Sequence, residues 1–168
     1  MHGMIATLLS TLLLHTIPVA GAVAPDFTAT DSDGNVHHLA EMVEQKTVIV
    51  AFFPKAFTGG CTQELKAYRD RYTEVEKAEG TVLAVSMDKR DTLKKFKESL
   101  KASFAFIPDP EGKLVSLYDV KMPVVSFAKR YTFVIGPGRK ILRVDQDDDA
   151  IHVENAVRAC PLRKPKAG

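Results

Sequence analysis

Cys61 stands where a thiol can be made reactive. It closes the segment Pro54-Lys55-Ala56-Phe57-Thr58-Gly59-Gly60-Cys61, which joins a continuous apolar run, residues 47–53, to a stretch of helical periodicity, residues 62–78. Cys61 therefore falls in the first turn of a helix, where unpaired backbone N–H groups and about half a positive charge favour a thiolate. Gly59 and Gly60 let the backbone approach a ligand closely, and Thr58 places a hydroxyl near the sulfur. The chemistry these residues predict is nucleophilic attack by sulfur. A lone cysteine is more often a small buried hydrophobe, so the local residues leave both readings open.

The elements that must position Cys61 can be read from turn residues and periodicity. Residues 27–30 and 36–38 flank the polar cluster Ser32-Asp33-Gly34-Asn35 and predict a hairpin. Residues 47–53, apolar, β-branched and aromatic, predict a strand buried on both faces and ended by Pro54. Leu65, Tyr68, Tyr72 and Val75 recur at spacings of three and four, which predicts one amphipathic helix over 62–78, closed by Gly80. Residues 81–86 predict a second strand and 91–100 a second helix, with Leu93, Phe96 and Leu100 on one face. Strand, helix, strand, helix implies a parallel βαβ core.

Further on, residues 105–107 form a short apolar run and 114–118 read as a turn or two of helix. Residues 130–135 and 140–144 are strands joined by Gly136-Pro137-Gly138-Arg139 and hence an antiparallel pair. Residues 145–149 read as a solvated acidic loop and 149–159 as a last helix. An antiparallel strand that starts at Arg130 must begin at the edge where the strand ending at Pro54 arrives. Arg130 and Cys61 are thus expected at one edge despite their separation in sequence.

Composition bounds the function. The 168 residues, 45% hydrophobic and 26% charged, suit one ordinary globular domain. A net charge of +2, from 23 basic and 21 acidic residues, is too balanced for an electrostatic footprint on nucleic acid. Residues 1–22 carry no Asp, Glu, Lys or Arg; 4–14 is almost wholly apolar, and Ala20-Gly21-Ala22 supplies small residues where a signal peptidase cuts. The expectation is a signal peptide over 1–22 and a domain over 23–168, exported to a periplasm or secreted with no stable membrane association after processing, and cytoplasmic if the segment is not a working signal. Pro18 interrupts the run, which argues against a spanning helix. His37, His38 and His152 with two distant cysteines give no metal-ligand spacing, and no cofactor motif stands out.

The string Pro-x-x-x-Thr-x-x-Cys, carried by Pro54, Thr58 and Cys61, resembles the active-site signature of the peroxiredoxins, the alkyl hydroperoxide reductase C and thiol-specific antioxidant group. Ala24-Pro25-Asp26-Phe27-Thr28 resembles that family's opening strand, and Arg130-Tyr131-Thr132-Phe133 the strand that delivers its arginine. The resemblance runs from about residue 24 to the last helix. It implies a thioredoxin-like α/β fold, a central mixed sheet flanked by helices with an N-terminal hairpin. It implies a thiol-dependent peroxidase in which Cys61 attacks hydrogen peroxide or an organic hydroperoxide and cycles through sulfenic acid. It further implies Thr58 and Arg130 as donors to thiolate and peroxide oxygens, Pro54 as a shield over the sulfur and Glu64 as the group holding the arginine. Apart from the family, Pro54 would be a strand terminator, Glu64 a carboxylate favoured by the helix dipole and Arg130 a surface charge.

Lowering a thiol pKa is not enough for such a catalyst. A fall from about 8.5 to about 5.5 raises the thiolate fraction at neutral pH roughly thirtyfold. The nucleophilicity lost over that range is roughly fifteen- to thirtyfold. Rate must come from holding the peroxide in line and stabilising charge as the O–O bond breaks, by Thr58, Arg130 and the backbone N–H of Cys61.

Within the family the chain resembles the Q-type, bacterioferritin-comigratory branch, many of whose members carry a resolving cysteine five residues after the first; here that residue is Lys66. The other cysteine, Cys160, sits in Arg158-Ala159-Cys160-Pro161, which resembles the C-terminal resolving motif of the two-cysteine branch on a much shorter arm. A last helix over 149–159 would carry Cys160 to the opposite end of the molecule, and Arg158, Arg163 and Lys164 would keep it reactive. An internal Cys61–Cys160 bond is therefore not expected: any bond in which Cys160 acts as resolving cysteine would form between two chains of a homodimer, and otherwise the Cys61 sulfenic acid is expected to be reduced directly by a thioredoxin-like protein or a small thiol. Two other functions share the fold: a thiol–disulfide oxidoreductase, which needs a Cys-x-x-Cys pair where this chain has Cys61-Thr62-Gln63-Glu64, and a redox-inert holdase or binding protein.

Overall fold

The structure, a computed structural model, describes residues 16–161. Most of the apolar leader, 1–15, and Arg163 and Lys164 lie outside the described residues. The run with no polar alternation became the centre of the sheet: β3, Thr47–Phe52, is buried at every residue, as a strand covered on both faces must be. It pairs in parallel with β4 (Gly80–Ser86), which pairs in parallel with β5 (Ala105–Pro108). On its other side β6 (Tyr131–Ile135) is antiparallel to it, and β7 (Ile141–Gln146) is antiparallel to β6. The order β5-β4-β3-β6-β7, with a separate hairpin of β1 (Thr28–Thr30) and β2 (Val36–His38), is the thioredoxin-like arrangement expected.

Alternate residues of β3 feed two cores. Ile49 and Ala51 face a layer that includes Leu65 and Tyr68 of α2 (Gly59–Asp70), Val75 of α3 (Tyr72–Lys77) and Leu93, Phe96 and Leu100 of α4 (Arg90–Leu100). Val48, Val50 and Phe52 face the other side, with Leu39 and Val43 of α1 (Leu39–Gln45) and Leu114 and Val115 of α5 (Lys113–Leu117). The sequence reading missed α1, whose buried signal is two residues one turn apart.

Several expectations need correction. The helix over 62–78 is two helices, because Arg71 (φ −101°, ψ 6°) leaves helical geometry after donating its N–H to Ala67 O. Gly80 does not close it. Glu79 takes the positive φ of 52°, and Gly80 opens β4, where a Cβ would stand 2.9 Å from Val75 Cγ1. Residues 149–159 likewise belong to two short helices, α6 (Asp147–Ile151) and α7 (Glu154–Arg158), parted at His152 (φ −85°, ψ 78°). Asp145 is not in a solvated loop but buried in β7, with Oδ2 held by Arg143 Nε at 2.9 Å and Oδ1 by Arg143 Nη2 at 2.6 Å. That bidentate partner lets a carboxylate sit out of water.

Ile17 packs against the core on the α1 side, Gly21 N–H donates to Ile141 O at 2.8 Å and Ile141 N–H to Ala22 O at 2.9 Å. Cleavage after Ala22 would give up both bonds, the second of which is half of the bridge between Val23 and Lys140, and keep its other half, the bond from Ala24 N–H to Arg139 O at 2.8 Å. Among the described residues no helix is long and apolar enough to cross a membrane.

One carboxylate holds the hairpin turn. Asp31 accepts from the N–H groups of Asp33 and Asn35 at 2.9 Å and pairs with His37 Nε2 at 2.8 Å. Burial alone would raise its pKa, but His37 and the N–H donors bring it down to about 2. A folded pKa below the unfolded one means stability present above about pH 4 and lost as pH falls toward 2. Asp31→Ala should lower the unfolding free energy by about 2 kcal/mol at neutral pH. The gap to the wild type should close over that acid window, and a gap in urea unfolding that stays constant with pH would contradict this account.

Candidate active site

The antiparallel pairing of β3 with β6 sets Phe52 opposite Tyr131, so the chain reaches Pro54 at the edge where Arg130 leads into β6. The loop after Pro54 turns into α2, of which Cys61 is the third residue. The bond from Thr62 N–H to Thr58 O begins the helix, leaving the Cys61 N–H in the turn where amides lack an intrahelical acceptor.

Cys61, 1% exposed, receives Arg130 Nη2 at 3.4 Å, while Arg130 Nη1 is held by Glu64 Oε2. The fork of the guanidinium thus spans sulfur and carboxylate, and Glu64 is 0% exposed. A Cβ on Gly60 would lie 3.1 Å from Arg130 Nη2, so the glycine makes room for the arginine. Burial pushes the Glu64 carboxyl up to about 7 although Arg130 pulls it down. Burial would lower the Arg130 pKa, and the charges of Glu64 and Cys61 more than reverse this, so the guanidinium stays charged.

The loop is pinned from below by a residue the sequence reading missed. Asp88 Oδ2 accepts from both Ala56 N–H and Ser86 Oγ at 2.8 Å, which ties the Cys61 loop to the end of β4. Its signal in the sequence was only its position after a strand. Phe57 has φ +64°, a strained value for a side chain of that size, and rests on Phe96 at 4.9 Å between ring centroids. Lys55 Nζ lies 5.3 Å from the Phe127 ring centroid.

Thr58 does not stand as expected. Its hydroxyl donates to Lys55 O at 2.8 Å, so its single proton is spent on the loop and what it turns outward is a lone pair. Pro54 is half-buried, one residue beyond Phe53, which follows the end of β3.

Cys160 is tuned differently from expectation. It lies in the same core as Cys61, near enough to Tyr68 for a charge on it to be felt there. Tyr68 is seven residues beyond Cys61 on α2, roughly 10 Å along the axis, toward the end of the helix away from Cys61. Both cysteines are free. Arg158 is exposed and does not activate Cys160, whose thiol burial pushes up to about 11. A thiol so raised is a poor nucleophile near neutral pH.

Residues 20–144 match the AhpC/TSA family. The chain is 33% identical over 134 residues to peroxiredoxin Bcp of Escherichia coli strain K12, covering 80% of this chain and 83% of that one. It is 28% identical over 138 residues to peroxiredoxin bcp1 of Schizosaccharomyces pombe, covering 81% and 71%. Among solved structures, the crystal structure of peroxidoxin BcpB from Mycobacterium tuberculosis superposes with a TM-score of 0.78 at 26% identity, covering 84% of this chain and 96% of that one.

Proposed function

The chain belongs to the AhpC/TSA family and is a Q-type peroxiredoxin, a thiol-dependent peroxidase, and we propose that Cys61 is its peroxidatic nucleophile. The observation that carries the assignment is the Arg130 fork, one nitrogen on Cys61 Sγ and the other on buried Glu64. The Cys61 thiolate attacks one peroxide oxygen, an S–O bond forms as the O–O bond breaks, and the departing oxygen takes the electron pair and a proton to leave as water or an alcohol. Arg130 and the Cys61 N–H meet the negative charge that develops, and the Thr58 lone pair accepts the peroxide O–H. Pro54 shields the sulfur from water. An external thiol then attacks the sulfenic acid, releasing water, and a second thiol frees Cys61 as a disulfide departs.

The burial of Cys160 and its raised pKa favour this external route over a resolving role. The reductant we propose is a thioredoxin-like protein or a small thiol. The domain is proposed to be exported, with residues 1–22 as its signal, and Val124, 92% exposed in the loop closed by the Lys121–Ala128 bridge, offers apolar surface for a homodimer. The test is non-reducing mass spectrometry after one equivalent of peroxide. A monomer bearing one added oxygen on Cys61 is the expected result, and the same spectrum reads the mature N-terminus. An internal Cys61–Cys160 bridge would overturn the external route, and unmodified Cys61 would overturn the assignment.

A further inference from the structure

The Arg130–Glu64 pair is one of two buried polar layers between α2 and β6. Glu64 and Tyr68, four residues apart on α2, share a face of that helix. Arg130 and Thr132, two apart along an extended strand, also share one, and Thr132 stands opposite Ala51, whose side chain lies in the core under α2. Where the two faces meet, three oxygens shut off from solvent have no hydrogen-bond partner: Glu64 Oε1, Tyr68 Oη and Thr132 Oγ1. A buried hydroxyl and a buried carboxylate oxygen left unmet side by side is an arrangement that folded proteins rarely keep.

The direction of the side chains supports a link between them. Helical side chains lean toward the N-terminus, so Tyr68 covers the turn that bears Glu64. After burial itself, the charge of Glu64 is the strongest influence raising the Tyr68 pKa, and Thr132 lowers it without closing a bond. The other groups facing Tyr68 are already engaged or weak. Asp145 has both oxygens on Arg143, and Cys160 Sγ is directed to Ala156 O at 3.7 Å. From α4 only Leu93, Phe96 and Leu100 are buried, and Asp147, Asp148 and Asp149 of α6 are exposed.

We propose that Tyr68 is a positioning residue for the peroxidase reaction: its hydroxyl donates to the free oxygen of Glu64, directly or across one bridging water, with Thr132 completing the contact, and so holds the carboxylate that aims Arg130 at Cys61. The inference rests on Cys61 being the peroxidatic nucleophile. A donor on Glu64 Oε1 favours the ionised carboxylate, and the ionised carboxylate holds Arg130 Nη1 more strongly than the protonated group does. The reaction should then slow as pH falls through the Glu64 pKa of about 7.

Tyr68→Phe removes one oxygen and tests this through the single-turnover reaction of Cys61 with hydrogen peroxide from about pH 5 to about pH 9. The variant is expected to react about fivefold more slowly at neutral pH and to approach the wild type when alkaline, its acid limb displaced upward by about one unit. Thr132→Val should displace the limb the same way. In a Glu64→Gln background Tyr68→Phe should add nothing. A Tyr68→Phe profile that superimposes on the wild type, together with a gain in thermal stability, would overturn the proposal, since that is what removing an idle buried hydroxyl yields. If the wild type shows no Cys61-dependent peroxide consumption, the peroxidase reading falls as well; if it does and the profiles coincide, only the role of Tyr68 falls.

Discussion

Cys61→Ser is expected to leave no measurable peroxide consumption while the fold persists. The exchange replaces sulfur with oxygen at a site 1% exposed, between the loop pinned by Asp88 and the Arg130 fork, so packing changes little. The chemistry changes completely. A serine hydroxyl is not ionised near neutral pH, and among the described residues the side chain bonded to this position is the cation Arg130 rather than a base, whereas the peroxide step requires an anionic nucleophile to open the O–O bond. Circular dichroism and thermal unfolding should match the wild type closely. Turnover above a few per cent of wild type with a dithiol donor would show that another group attacks the peroxide. The same assay separates the rival readings: a thiol–disulfide oxidoreductase would reduce disulfides instead, and an inert binding protein would consume nothing.

Arg130→Ala should slow the reaction of Cys61 with peroxide by between about tenfold and a hundredfold, because a charge-assisted donor contributes about 1.5–3 kcal/mol. Two losses combine here. Sγ loses the donor now at 3.4 Å, and Glu64 is left buried without its cation. A buried carboxylate whose partner has been removed destabilises a protein by about 3–5 kcal/mol unless it takes a proton, and a carboxyl already pushed up to about 7 will take one readily. The variant should therefore fold but melt lower. Arg130→Lys keeps the charge without the fork that reaches both partners, and should recover part of the stability and little of the rate. An Arg130→Ala rate equal to wild type would show that peroxide is activated without this arginine.

What could be read from the chain was whatever depends on short-range order. The run 47–53 read as a strand covered on both faces, and residues 47–52 became the centre of the sheet. The segment from Pro54 to Cys61 could be recognised because a strand, a glycine pair and a helix start lie within a few residues. The shared edge of Cys61 and Arg130 followed from strand direction alone, and the register of Phe52 against Tyr131 bears it out. Periodicity failed where a break keeps the same face inward: Tyr72 and Val75 still pack toward the core across the interruption at Arg71, so one helix and two leave the same pattern.

The tertiary structure decided how each polar group is used, because that depends on which atoms meet across elements. The proton of Thr58 went to Lys55 O, an outcome set by the curl of the loop rather than by residue type. Asp88 became the anchor of that loop because β4 lies parallel to β3 and ends beside it. Cys160 reads as reactive beside Arg158 in the sequence, yet the break at His152 lets α7 fold it into the core, where desolvation, acting on the whole environment and not on neighbours in the chain, suppresses its thiolate. The sequence by itself determined the fold class and the edge on which Cys61 and Arg130 meet. Only packing in three dimensions decided that Glu64 is fully buried with one oxygen on Arg130 and the other without a hydrogen-bond partner, since burial is a property of the assembled layers and no spacing along the chain encodes it.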